Sequence, residues 1–346
     1  MGKPDHAGRA RVVVVGASAG GVEALGRLAS LLPEDFDLPI LVVLHVPPTV
    51  SFLPEILSRR GALPAVHARD GDPIVAGQFT IAPPDAHLLV GGRSHVVVNR
   101  GPRENGYRPA VDPLFRSAAA QYGPGVIGVV LSGALDDGAI GLARIKQAGG
   151  VAIVQEPSDA LHPAMPMSAI EAARPDHVVP LDELAELLAE LDRAPAENEA
   201  QSSREENRMD ADPTQMEPQA VTEANRSYGE VTPYTCPECN GTLWEIEEHG
   251  VAKLRCRVGH SYTEDAYRYE KAVSLEAALW TAVTALVEKA DFSRRLASRL
   301  RSGGHDISAE RYEREGENAH RQSELVREAV LAFELPVPTD EEAHAS

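Results

Sequence analysis

The chain has 346 residues, of which 43% are hydrophobic and 25% charged, values that exclude a collagen-like or wholly disordered protein. Its 52 acidic residues outnumber its 33 basic ones, and the net charge of −19 disfavours binding to nucleic acid through a basic surface. Three cysteines in so long a chain disfavour a secreted disulfide scaffold, and we find no signal peptide or run of roughly 20 apolar residues. We therefore expect a cytoplasmic protein of about two domains, without membrane insertion.

The first 190 residues alternate between short Val- and Ile-rich runs and helix-like stretches. Apolar runs without polar alternation indicate strands buried on both faces of a parallel sheet, so the alternation predicts a doubly wound α/β fold. Three further runs between prolines and glycines, at 79–81, 87–90 and 95–98, predict inserted antiparallel hairpins. The predicted parallel strands are 12–15, 40–44, 126–131, 151–154 and 178–179, and the predicted helices are 20–32, 113–121, 139–148, 165–173 and 181–191.

Beyond residue 191 the composition changes twice. A stretch rich in Gln, Ser, Asn, Glu and Pro has too few large apolar side chains to form a core, which predicts a disordered acidic linker. A short cysteine-containing module follows, and then Leu and Ala at helical spacing predict a helical hairpin, which packs on the module or docks a signalling protein. The predicted domains are an α/β domain over 8–191, the linker over 192–230, the module over 231–262, the hairpin over 263–335 and a disordered tail over 336–346.

Residues 12–21 read VVVVGASAGG, a strand that runs directly into a glycine-rich turn. Such a turn can serve backbone geometry alone. A dinucleotide site is disfavoured, because Ser18 replaces the second glycine of GxGxxG and no acidic residue ends the next strand. The match to GxSxG leaves a third interpretation, in which Ser18 is a nucleophile held above the carboxyl edge of the sheet, beside N–H groups at a helix start.

A serine nucleophile needs a base and a group that orients the base, and both are expected beyond the carboxyl ends of the strands. His45 follows the second predicted strand, and Asp136 and Asp137 follow the strand at 126–131. Either aspartate could cap the next helix, and we favour Asp137 as the orienting carboxylate because it directly precedes Gly138. The order Ser, His, Asp differs from that of the α/β-hydrolases, which disfavours that fold.

The three cysteines lie close together in the C-terminal module. Cys236 and Cys239 form a CxxC pair, and Cys256 and His260 form a CxxxH pair after a hairpin-length spacer. Three thiolates and one imidazole fill four tetrahedral positions, which predicts a closed, structural Zn²⁺ site. So small a module cannot build an adequate core, and metal binding would supply its folding free energy.

Six ordered segments resemble the catalytic domain of the chemotaxis protein-glutamate methylesterases, the CheB family. The resemblance implies that Ser18 is the nucleophile, His45 the general base and Asp137 the orienting group, with no cofactor for catalysis. It also implies that the partner is a methylated chemoreceptor, whose glutamate methyl esters are hydrolysed and whose glutamines are often deamidated. The segments lie within residues 10–191 and read GASAGG (16–21), LHVPP (44–48), IAPPDAHL (81–88), YRPAVDPLFRS (107–117), LSGALDDGAIGL (131–142) and IVQEPSDALHPAMPMS (153–168).

In such a reaction, backbone N–H groups near Gly20 and Gly21 or in the loop around Ala134 would bind the oxyanion. The chain departs from the family pattern at Ala19, where threonine is usual, and at Ala134, which replaces a methionine. We also expect no control by a receiver domain, since the resemblance starts almost at Met1. The alternative is a regulatory adaptor that uses the esterase fold as a scaffold and docks partners through the zinc and helical modules.

Overall fold

The computed structural model describes residues 11–47, 49–193, 216, 218–248, 251–333 and 335–336. Its strands are β1 Val12–Ala17, β2 Ile40–Leu44, β3 Ala65–His67, β4 Phe79–Ile81, β5 His87–Gly91, β6 His95–Asn99, β7 Val126–Val130, β8 Val151–Gln155, β9 His177–Val179, β10 Gly229–Thr235, β11 Thr242–Glu248, β12 Val251–Cys256 and β13 Ser261–Tyr262. Its α-helices are α1 Gly21–Leu31, α2 Leu53–Arg60, α3 Val111–Tyr122, α4 Ala139–Gln147, α5 Ala164–Ala173, α6 Leu181–Arg193, α7 Pro218–Tyr228, α8 Glu264–Ser302 and α9 Asp306–Leu331.

A seven-stranded parallel sheet forms the centre of the N-terminal domain, in the order β3-β4-β2-β1-β7-β8-β9. β1 lies in the middle, with Ala17 beside Leu44 of β2 and Gly16 beside Val130 of β7. The chain leaves β1 in one direction and returns to its other side at β7, so the crevice beyond these carboxyl ends is where doubly wound folds bind ligands. The predicted α/β fold is confirmed.

Apolar side chains cover both faces of this sheet. Val13 and Val15 of β1 point into one cluster, with α1, α2 and α6, while Val12 and Val14 point into the other, with α3, α4 and α5. Burial on both faces explains why these strands show no polar alternation. The core therefore holds the carboxyl ends of β1, β2 and β7 in a fixed relation.

The inserted region differs from the prediction at one strand. β5 and β6 form the expected antiparallel hairpin, but β4 pairs in parallel with β2 and β3 and belongs to the main sheet. All three residues of β4 are buried, which suits a strand covered on both faces. A run of three residues is too short to show a period, so the sequence did not distinguish the two arrangements.

The C-terminal module contains a four-stranded antiparallel sheet in the order β10-β11-β12-β13. α7 forms within the stretch predicted to be linker, with Val221 buried and the Asn225 side chain donating to the Cys256 carbonyl at 3.2 Å. The linker prediction is thus wrong for 218–230, because contacts with the module stabilise a segment of low apolar content. Residues 194–215 of that linker, and 337–346 of the predicted tail, lie outside the described ranges.

Residues Arg268–Val337 form a second compact unit, a pair of long helices. The helices break at Gly303–Gly304, and Lys289 on α8 pairs with Glu315 on α9 at 3.5 Å. Small buried side chains such as Ala290 and Ala319 let the two helices approach closely. No described helix has the length and apolar character that a bilayer span needs. Docking of a signalling protein on this unit remains a prediction.

Candidate active site

Ser18 lies in the tight turn between β1 and α1. Its backbone N–H donates to the Ser132 carbonyl at 3.0 Å, and its own carbonyl accepts the Gly21 N–H at 2.9 Å. Gly20 has φ of 74°, a left-handed conformation that side-chain-bearing residues rarely adopt, and a Cβ there would lie 2.7 Å from Ser132 Oγ. The turn therefore holds the serine hydroxyl at the carboxyl edge of the sheet.

His45 follows β2 directly and is oriented from three sides. Its backbone N–H donates to the Ala17 carbonyl at 3.1 Å, and its Nδ1 lies 3.1 Å from Ser18 Oγ. The ring of Tyr107 stacks on the imidazole with centroids 3.7 Å apart and planes 9° from parallel. The His45 side chain is only 4% exposed, so its ring has little freedom to turn away from the serine.

Asp137 completes the chain of contacts, with Oδ2 2.8 Å from His45 Nε2. Its carboxylate also accepts the backbone N–H of Val111 at 2.6 Å and of Asp112 at 3.3 Å, and the side-chain amide of Asn105 at 3.1 Å. Burial alone would raise the pKa of Asp137, but the hydrogen bonds from His45 and Val111 outweigh it and hold that pKa below its ordinary value. The group is thus an ionised acceptor aimed at the imidazole.

The structure distinguishes Asp137, which the sequence favoured, from its neighbour Asp136. Asp136 does not contact His45, and Thr263 forms a hydrogen bond with its side chain. Burial raises the pKa of Asp136 to about 6, above its usual value. The backbone directly before the two aspartates is strained at Leu135, whose φ is 61°, and Gly138 after them turns into α4 with φ of 93°.

The three residues expected to supply oxyanion N–H groups lie in the two loops around Ser18. Gly20 and Gly21 follow the serine, and Ala134 is partly buried in the loop after β7. The Gly21 N–H is already engaged by the Ser18 carbonyl, which removes it as a donor in this conformation.

Sequence reasoning missed three contributors to this site, namely Asn105, Tyr107 and Val111. Tyr107 and Val111 fall within a segment singled out for its resemblance, but their pattern carries no sign of contact with His45 or Asp137. Val111, the first residue of α3, lies against Gly16 of β1, which places the start of this helix at the sheet edge. Arg108, in the same segment, pairs with Asp85 at 2.7 Å.

The four predicted metal ligands converge in the C-terminal module. The Sγ atoms of Cys236, Cys239 and Cys256 and the Nδ1 of His260 all lie within 4.8 Å of one another. The Cys239 and Cys256 sulfurs are 3.7 Å apart. This matches the separation of roughly 3.8 Å that tetrahedral sulfur ligands have when Zn–S bonds are about 2.3 Å long. His260 turns its Nε2 toward a carboxylate oxygen of Glu238 at 3.4 Å, a common outer contact of metal-bound histidines. The cluster can hold a metal ion.

A parallel α/β sheet with a serine, a histidine and an aspartate in hydrogen-bond contact beyond its strand ends has the arrangement that serine hydrolases use. The model of the CheB methylesterase family matches residues 13–188, half of the chain. The chain belongs to this family of hydrolases. The family match ends before α7, so the metal cluster and the long helices lie outside it.

Individual relatives agree with this assignment. A protein-glutamate methylesterase/protein-glutamine glutaminase from Anaeromyxobacter dehalogenans is 41% identical over 191 residues, which are 55% of this chain and 56% of the relative. A Leptospira interrogans protein named for the same two activities is 39% identical over 184 residues, 52% of this chain and 94% of the relative. The crystal structure of the Thermotoga maritima CheB methylesterase catalytic domain aligns with a TM-score of 0.51 and 34% identity, covering 52% of this chain and 98% of that one. These similarities support the methylesterase interpretation over the adaptor alternative.

Proposed function

We propose that this chain hydrolyses glutamate γ-methyl esters with Ser18 as nucleophile, His45 as general base and Asp137 as orienting carboxylate. The observation that carries the proposal is the unbroken line of contacts from Ser18 Oγ through both His45 nitrogens to Asp137 Oδ2, with separations of 3.1 and 2.8 Å. The activity in the names of the relatives supports the same substrate class.

Asp137 determines which nitrogen of His45 carries the proton. An ionised carboxylate can only accept, so Nε2 donates to Asp137 and Nδ1 is left to accept from the Ser18 hydroxyl. Ser18 Oγ attacks the ester carbonyl carbon while its proton passes to Nδ1, and Asp137 stabilises the imidazolium. The bond to the methoxy oxygen then breaks, His45 returns the proton to that oxygen, and methanol leaves. Water attacks the remaining glutamyl-serine ester by the same route and releases the free carboxylate.

The oxyanion formed at each attack needs N–H donors within hydrogen-bond reach of the former carbonyl oxygen. Because the Gly21 N–H is engaged, the amides of Gly20 and Ala134 are the donors we propose. One such donor is worth about 3 kcal/mol of transition-state stabilisation. Backbone donors do not depend on the side chains, so Ala19 and Ala134 are compatible with activity.

A methylated chemoreceptor is the proposed partner, and the surface beside Ser18 suits a protein substrate. Val50, Phe52 and Leu161 expose large apolar side chains in the loops after β2 and β8, and Leu161 lies against Gly20. A glutamine side chain differs from the methyl ester in its leaving group, so the same route would release ammonia. Deamidation is therefore a second reaction that we propose for this site, in line with the relatives' names.

The same proposal includes a structural Zn²⁺ held by Cys236, Cys239, Cys256 and His260. Each CxxC or CxxxH turn is closed by backbone hydrogen bonds, from Asn240 N–H to the Cys236 carbonyl at 2.9 Å and from Cys256 N–H to the His260 carbonyl at 2.9 Å. These turns present the ligands without further rearrangement. The ion would supply folding free energy to the module and takes no part in the ester chemistry.

Methanol release from a methylated receptor tests the catalytic assignment. Ser18→Ala should abolish release, because the acyl-enzyme cannot form. Ser30→Ala is the matched control, since Ser30 is an exposed serine on α1 whose hydroxyl contacts only its own helix, at the Arg27 carbonyl. Equal release by wild type and Ser18→Ala would refute the proposal.

A further inference from the structure

The C-terminal module contacts the loop that precedes α3. Glu104 forms a parallel β-bridge with Ser261 of β13, the Ser261 N–H donates to the Arg103 carbonyl at 3.3 Å, and the Asn105 N–H donates to the Ser261 carbonyl at 2.7 Å. A short segment of the catalytic domain thus extends the sheet of the module. The backbone of Asn105, at φ of 52°, is held by these bonds.

The module also orients the Asn105 side chain. The Thr263 N–H donates to Asn105 Oδ1 at 3.2 Å, which turns the Nδ2 group toward the opposite side. Nδ2 donates to Asp137 Oδ1 at 3.1 Å and to Asp112 Oδ2 at 3.4 Å. Asn105 is buried, so few alternative partners compete for its amide. The Asn105 amide therefore accepts a hydrogen bond from the module through Oδ1 and donates through Nδ2 to Asp137, the carboxylate that contacts His45.

A second contact comes from Lys253 of β12, which is fully buried. Its Nζ lies 2.6 Å from Glu104 Oε1 and 3.3 Å from Asp112 Oδ2. The other oxygen of Asp112 accepts the N–H groups of Gly138 at 3.1 Å and Gly141 at 2.7 Å, at the start of α4. Burial raises the pKa of Asp112 to about 7, and the Lys253 charge opposes that rise, so Lys253 favours the ionised form of the carboxyl that holds the segment directly after Asp137.

We propose that the C-terminal module is a positioning element of the active site, which holds the Asp137 carboxylate in line with His45 through Asn105 and Lys253. This inference rests on the proposed roles of Ser18, His45 and Asp137. Asn105 and Lys253 contact neither His45 nor Ser18 and act through Asp137, so they are positioning residues. The family match ends at residue 188, so the contribution of Lys253 is a property of this chain's own extension.

Asn105→Ala and Lys253→Met should lower kcat for hydrolysis of a peptide carrying a glutamate γ-methyl ester and leave KM nearly unchanged. A displacement of the carboxylate by about 1 Å can reduce the rate on the order of 100-fold, so we expect losses of about 10- to 100-fold in the full-length protein. Lys146→Met is the matched control, because Lys146 forms an exposed ion pair with Asp176, away from the module.

The deciding measurement repeats both substitutions in an Asp137→Ala background, which retains residual catalysis from substrate binding and the oxyanion donors. If the two residues act through Asp137, they should cost little more there, whereas general damage to the fold would reduce the rate by the same factor in both backgrounds. Equal losses in the two backgrounds, or full activity of Asn105→Ala, would overturn the proposal. If Lys253→Met does not fold, Asn105→Ala, which removes no charge, decides alone. Full activity of Ser18→Ala would instead refute the proposed function itself.

Discussion

The seven-stranded parallel sheet of the catalytic domain and the four-stranded antiparallel sheet of the module are stabilised in different ways. The parallel sheet of the catalytic domain is covered on both faces by extensive apolar clusters contributed by six helices. The cluster behind the antiparallel sheet has six buried residues, and two of them, Cys236 and Cys256, are metal-ligand candidates. Because apolar burial scales with size, the first sheet has an adequate core of its own, and we expect the second to depend on the proposed metal ion and on its contacts with the domain.

A cluster of buried charged groups lies where the module meets the catalytic domain. Three carboxylates, Glu104, Asp112 and Glu248, face three cations, Arg116, Lys253 and Arg255, where the module meets the catalytic domain. The Arg116 and Lys253 charges outweigh burial and hold the pKa of Glu104 well below its usual value. An interface of this kind is specific in geometry, because each charge requires its partner.

Removal of the proposed metal ion should have the largest effect, because it should destabilise the antiparallel sheet and leave the parallel sheet intact. Structural Zn²⁺ contributes about 10–16 kcal/mol to small metal-dependent folds, so chelation should unfold β10–β13 while β1, β2 and β7 keep their protection. Hydrogen exchange with mass spectrometry, together with measurement of metal content, would report both regions in one sample. Unchanged protection of β10–β13 in metal-free protein would contradict the assignment of the cluster.

A cavity in the core of the parallel sheet tests whether the catalytic domain is stabilised by apolar burial and independently of the metal. Phe79 of β4 is fully buried, and Phe79→Ala should lower the free energy of unfolding by about 3–5 kcal/mol with no change in metal content. Phe52→Ala is the control, since that ring is 64% exposed, and its expected effect is within about 0.5 kcal/mol. Urea denaturation measures both. If the two substitutions cost the same, the catalytic core is not organised as described.

Acid should weaken the module through the charged interface. Burial raises the pKa of Glu248, but Lys253, Arg116 and Arg255 outweigh it and lower that pKa from 4.5 to about 2. A carboxyl with a lowered pKa stabilises the fold fully above pH 4.5, and this contribution is lost as the pH falls from 4.5 to about 2. In Glu248→Gln, the slope of the unfolding free energy against pH should be smaller by up to about 1.4 kcal/mol per pH unit.

Exchange protection of β11 and β12 between pH 5 and 2 measures this effect. Glu245→Gln, on the exposed face of the same strand, is the matched control. If exchange protection falls with pH in the same way in wild type and Glu248→Gln, Glu248 is not responsible for the loss of module stability in acid.

The residues proposed for catalysis could be found from the sequence because each follows a recognisable strand. Ser18, His45 and Asp137 come after β1, β2 and β7, and parallel strands bring their carboxyl ends to one edge. The sequence favoured Asp137 over Asp136 only through its place before Gly138, whereas in the structure the contact of Asp137 with His45 distinguishes the two. β4 and α7 were misassigned, since one is too short to show a period and the other owes its burial to the module.

The sequence by itself determined the fold class of the first domain and the four residues of the candidate metal cluster. Both depend on residues that are close together in the sequence. The fold class follows from apolar runs of strand length, and the cluster follows from two short pairs of candidate ligands. Only the tertiary structure decided that the two parts are joined beside the active site. Lys253 reaches Glu104 across 149 positions of the chain, and Asn105 takes one partner from each part. Contacts of this kind form when strands and loops that are distant in the sequence pack together. The spacing of residues along the chain does not predict them.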